Sequence, residues 1–111
     1  MSIFIWLIHH KASLSECSPM NLDGSEYMTG IGVVPATDMQ VAIRLFNIYL
    51  QTQGMGLLEV WKCEQYIPTD FAEQSQANRE INEAAGDAIE NNQIFYVLGI
   101  SSEALSCGTS R

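Results

Sequence analysis

The stretch FIWLIHHKASLSEC, residues 4–17, decides how the rest of the chain is read. Its first half is bulky, β-branched and aromatic without a polar break. So short a run, lacking alternation, reads as a strand over residues 2–9 that is buried on both faces. Two adjacent histidines and then Cys17 follow, which raises the question of a metal site or a base beside a nucleophile. Neighbouring strand residues point to opposite faces, so His9 and His10 do not clamp one ion together. No HxxxH, HExxH or Cys/His cluster accompanies them. We therefore expect neither a metal nor a catalytic pair here, and we expect both imidazoles to meet solvent where the strand ends at a sheet edge.

Working outward, residues 11–26 are rich in serine, with Pro19, Asn21, Asp23 and Gly24, and read as a long polar loop. YMTGIGVV, residues 27–34, is a second strand. Gly30 and Gly32 within it imply a bulge or a close backbone approach. In PATDMQ, Thr37 with Gln40 reads as a capping box that opens a helix over residues 38–53. Val41, Ala42, Leu45, Ile48 and Tyr49 recur along it at helical spacing, and Gly54 stops it. Residues 57–67 form a third strand, in which Cys63 shares a side with Leu57 and Trp61. Asp70 and Glu73 open a second helix over residues 71–91, with Ala77, Ile81, Ala84, Ala85 and Ala88 as its apolar stripe. Residues 93–100 are the last strand, and a polar tail is frayed from about residue 106.

The element order is β-β-α-β-α-β in a single domain over residues 1–111. Four strands and two amphipathic helices pack most simply as an α+β two-layer sandwich with both helices on one sheet face. By element order it resembles a variant of the ferredoxin-like sandwich, a fold that hosts many unrelated activities and so implies none. That arrangement leaves one problem. The first and last strands are apolar on both sides, so a second face around Trp6 and Tyr96 needs a cover. We expect a homodimer through that apolar face, since large exposed apolar patches are rare on monomers.

Composition narrows the function. Of 111 residues, 13 are acidic and 5 basic, a formal charge of -8 that repels phosphate backbones and attracts a basic partner. Nucleic acid is therefore not an expected ligand. Three dispersed cysteines (Cys17, Cys63 and Cys107) contain no CxxC pair and fit reduced thiols in a cytoplasmic protein. The N-terminal apolar run is too short to span a bilayer and lacks a basic flank and a cleavage pattern. Neither TGIGVV nor QGMGLL is a phosphate loop, because no further glycine opens a helix after them. No cofactor is expected.

The most informative pattern is acidic. Glu73, Glu80, Glu83, Asp87 and Glu90 recur at spacings of three, four and seven, with Arg79 the one base in that helix. Nothing singles out two of these carboxylates as an acid–base pair, and a solvated helix face supplies no desolvation to raise a pKa. We expect them to form the binding surface of a non-enzymatic, acidic interaction protein that neutralises a basic protein. Small bacterial immunity proteins, which inhibit toxins, are similar in size, charge and single-domain build. The alternative is a dimeric α+β barrel that binds or transforms a small molecule in an apolar pocket lined by Trp6, Trp61, Tyr96 and His9.

Overall fold

The computed structural model of the protein describes residues 2–21 and 24–102. Its elements run β1 (Phe4–Leu14), β2 (Tyr27–Ala36), α1 (Met39–Thr52), β3 (Met55–Gln65), a 3₁₀ turn (Pro68–Phe71), α2 (Gln76–Asn91) and β4 (Phe95–Ser101). The strands form one antiparallel sheet in the order β3-β1-β2-β4. The α+β class, the four-stranded sheet and the two helices are as expected. The expected frayed tail and Cys107 lie outside the described residues.

β1 is longer than its apolar run. It continues through Lys11 to Leu14, so the loop begins at residue 15, not 11. The pairing Lys11↔Thr29 and Ser13↔Tyr27 explains why: polar residues extend a strand when a neighbour on each side satisfies the backbone. His9 and His10 therefore lie in the middle of a central strand, and the expectation that both reach solvent at a sheet edge is corrected.

Asp38, not Thr37, caps α1: its Oδ1 accepts from the Val41 N–H at 2.9 Å. Gly54, at φ +68, closes the helix as expected. The buried line of α1 is Ala42, Phe46 and Leu50, while Leu45 and Ile48 are exposed. The helix is apolar on several sides, so spacing alone does not choose the inward one. α2 starts five residues later than expected. Pro68 to Phe71 close a separate 3₁₀ turn, and Ser75 supplies the cap by accepting from the Asn78 N–H at 3.1 Å. Asn92 ends it in the left-handed conformation. Ala77 is exposed; the buried stripe is Ile81, Ala84, Ala85 and Ala88.

The helices do not share a face, which corrects the expectation that they would. Ile8, Ala12 and Leu14 of β1, with Val34 and Ala36 of β2, pack against Ala42, Phe46 and Leu50 of α1. Ile5 and Leu7 of β1, with Ile31 and Val33 of β2, pack against Ile81, Ala84, Ala85 and Ala88 of α2. Ile8 and Leu7 are sequence neighbours, so they point to opposite sides of the sheet. Each helix thus forms a two-layer sandwich with its own sheet face, and the likeness to the ferredoxin-like fold stops at element order and sheet. The cause is visible in the strands. β1 and β2 are central and apolar on both sides, and each fully buried Leu or Val contributes about 1.5–3 kcal/mol. A layout with both helices on one side would leave Leu7 and Val33 in water.

This also removes the reason given for a dimer through the sheet face. Trp6 and Tyr96 pack into the core beneath α1, and the other face is covered by α2.

At Gly32 the Phe46 ring of α1 lies directly against the strand backbone. A Cβ there would overlap the Phe46 ring, with Cζ at 2.6 Å, and Phe46 is fully buried. A Gly32→Ala variant is expected to lose about 1–3 kcal/mol, measured as a shift of the urea midpoint at unchanged slope. Gly30 plays the same part for Tyr96, whose Cε1 would lie 2.6 Å from a Cβ.

Candidate functional site

α2 crosses its sheet face beside β4, one of the two terminal strands. Between them runs an open groove of about 310 Å³ lined by Glu80, Glu83, Ala84 and Asp87 of α2 and Phe95, Tyr96, Val97 and Leu98 of β4. The helix positions its carboxylates there because Ala84 and Ala88, small and buried, seat α2 on Ile31 and Val33. The residues flanking that stripe then overhang the sheet edge. The result is an apolar floor with an acidic wall.

Three of the five acidic residues expected to act together are so placed: Glu80, Glu83 and Asp87. Glu73 precedes α2 and lines a separate cleft of about 340 Å³ with Tyr66, Phe71, Arg79 and Asn82, to which Glu83 also contributes. Glu90 is exposed near the C-terminal end of α2 and lines neither recess.

The floor of the groove carries the unusual backbone. Leu98 adopts φ +54, in the left-handed region that a leucine rarely occupies. It lies where the β2–β4 register slips, Thr29 pairing with Ile100 but Ile31 with Val97. Such a conformation costs about 1–3 kcal/mol, and strain of this kind gathers at binding and catalytic sites. The slip also turns part of the β4 edge out of regular pairing. Sequence reading missed Phe95, Val97 and Leu98 as site residues. The signals for the bulge were Gly30, which falls at the slip on β2, and Gly99 inside the β4 strand pattern.

The histidines separate to the two faces, as expected of strand neighbours. His10 is fully buried, its ring edge-on to Phe46 and Tyr96 at centroid distances of 4.6 and 4.9 Å. A carbonyl can only accept, so Nδ1 donates to Ile8 O at 2.9 Å, and Nε2 is left to accept from the Tyr96 hydroxyl at 2.8 Å. Burial, opposed by the Ile8 hydrogen bond and aided by His9, lowers its pKa to about 4. Burial likewise raises that of Tyr96. The pair is held neutral at pH 7, and each group satisfies the other.

On the opposite face His9 Nε2 meets Glu64 Oε2 at 2.8 Å, and Lys62 Nζ approaches the same oxygen at 3.4 Å. Cys17 is exposed in the loop; Cys63 is half-buried against the α1 core, where burial pushes its thiol pKa up. Among the described residues no group of three His, Cys, Asp or Glu side chains is placed to hold a metal ion.

Nor do the four residues of the alternative pocket meet. Trp6 Nε1 donates to Ala36 O at 3.1 Å beneath α1. Trp61 does not share the buried side of Cys63 and Leu57, because it falls at a pairing irregularity and is exposed. His9 faces away from Tyr96. Among the described residues no helix is long and apolar enough to cross a membrane. Compared with family models, with curated proteins and with solved structures, the chain matches none of them.

Proposed function

We propose that the protein is a non-catalytic binding module that captures and neutralises a basic protein partner along the α2–β4 groove, in the manner of an inhibitor or immunity protein. The observation that carries this is the convergence of Glu80, Glu83 and Asp87 on an apolar recess beside a terminal strand. Apolar floor residues supply contact area, and the acidic wall selects the sign of the partner's charge. The strained Leu98 within the same recess adds weight. The small-molecule alternative has less support, since its aromatic residues and His9 lie on different faces.

An exposed ion pair is worth about 1 kcal/mol or less, so the carboxylates act collectively and mostly on association rate. The test is titration of isotope-labelled protein with an extended peptide that alternates lysine or arginine with apolar residues. Shift changes are expected on α2 and on residues 95–98, with affinity falling as salt rises. A Glu80→Gln, Glu83→Gln, Asp87→Asn variant should keep its melting temperature and bind at least about tenfold more weakly. Shifts confined to other surfaces, or binding unchanged in the variant, would show that this face is only a solvated one.

A further inference from the structure

The other terminal strand, β3, has a different character. It is 11 residues long and its residues 58–62 are exposed. Leu58 and Trp61, 55% and 56% exposed, sit at the two irregularities in its pairing with β1. Being terminal, β3 has no neighbouring strand along its outer backbone edge among the described residues, and such an edge is a template for strand addition.

Its charges are arranged to match themselves. Glu59 and Lys62 are three apart and would face opposite sides of a regular strand. The extra residue at Trp61, between the pairs His10↔Val60 and His9↔Lys62, returns both to one face. The ion pairs confirm it: Glu59 meets Lys11 at 3.8 Å and Lys62 meets Glu64 at 3.4 Å, on the face opposite α1. Among the described residues α2 makes no contact with β3, and Glu59 and Lys62 are exposed on this face.

We infer that β3 pairs antiparallel with β3 of a second copy, about a two-fold axis between Val60 and Trp61. In that register Glu59 of each copy faces Lys62 of the other, twice over, with Trp61, whose Nε1 donates to Glu59 Oε1 at 3.3 Å, beside each pair. An axis on Lys62 would oppose two lysines, and one on Glu59 two glutamates. An axis on Cys63 would match Lys62 with Glu64 but leave Leu58 beyond the paired stretch. The contact is isologous and therefore closed, giving a dimer with one eight-stranded sheet and no filament. The occupant is a second copy, not a basic partner, because the charges along β3 alternate in sign where the wall of the α2–β4 groove is uniformly acidic. This surface is separate from that groove, and each reading stands or falls without the other.

Sedimentation of the intact chain over rising concentration tests it, with Glu59→Lys, Lys62→Glu and the double exchange as variants. The wild type is expected to dimerise reversibly. Each single exchange should weaken dimerisation about tenfold or more by opposing like charges, and the double exchange should restore it to within about threefold. Amide exchange of residues 58–62 should slow as dimer forms. Both side chains are exposed or partly so, and unchanged far-ultraviolet circular dichroism will show that each variant is folded. A chain that stays monomeric up to about 1 mM, a dimer indifferent to the single exchanges, or a double exchange weaker than either single would overturn the inference. So would residues 58–62 whose exchange is independent of concentration.

Discussion

A His10→Ala variant is expected to lose about 3–5 kcal/mol of stability, a large share of what a domain of this size possesses. Two losses combine. Removing a fully buried ring between Phe46 and Tyr96 leaves a cavity, and the Tyr96 hydroxyl loses its acceptor within the core. The second loss is separable. Tyr96→Phe should cost about 1–3 kcal/mol, because His10 Nε2 is left unpaired. The double variant His10→Leu, Tyr96→Phe should be more stable than the sum of its single changes implies, since no polar atom of the pair remains. Additive losses in denaturant unfolding would show that the hydroxyl–imidazole bond contributes nothing.

The same residue imposes a pH dependence. His10 titrates at about 4 in the folded chain against 6.5 when unfolded, so between those values the unfolded state binds more protons. The stabilisation is complete above pH 6.5, shrinks as pH falls from 6.5 towards 4, and has been lost below that. Its size is about 3 kcal/mol, from about 1.4 kcal/mol for each unit of displacement. Unfolding free energy measured at pH 7, 6 and 5 should fall along this slope in the wild type. In His10→Leu the slope should be markedly flatter over pH 6.5–5, above the range in which ordinary carboxylates titrate. Equal slopes would mean that the imidazole stays reachable by protons.

The second large effect tests which element covers the second sheet face. Ala88 is fully buried between α2 and the sheet, whereas Ile89 beside it is 64% exposed. Ala88→Asp is expected to cost about 3–5 kcal/mol, because a carboxylate there has neither water nor a partner. Ile89→Asp, one residue on, should change stability by no more than about 1 kcal/mol. Thermal unfolding of both variants at neutral pH decides the matter. If Ala88→Asp is as mild as Ile89→Asp, α2 is not what covers Leu7 and Val33.

Much of this architecture was legible in local pattern. The unbroken apolar run of β1, the glycines of β2 and the stop at Gly54 are local signals, and each has a counterpart in the structure. They work because they depend on backbone conformations and periods that neighbours in sequence determine between themselves. Helix starts were less legible. Thr37, Asp38, Asp70 and Ser75 are all competent caps, and local chemistry does not rank them. The acidic pattern was visible as a stripe, but not its division: Glu80, Glu83 and Asp87 reach the groove, while Glu73 sits beyond the helix start and Glu90 beyond the recess.

By itself the sequence determined the α+β class, the order of elements, the acidity and the demand that both faces of the first strand be covered; the last strand, read in the same way, is terminal and partly exposed. Only the tertiary structure decided how that demand is met. The choice between a second helix and a second copy compares burial of the same residues by different partners, and periodicity carries no information on which partner arrives. The chain meets it with α2, whose alanines allow a close approach to Leu7 and Val33. The same step decided the fate of His10. Its identity reads as polar and solvent-seeking, but a central strand under Phe46, with a hydroxyl supplied from β4 across 86 residues of sequence, lets a neutral imidazole sit in the core.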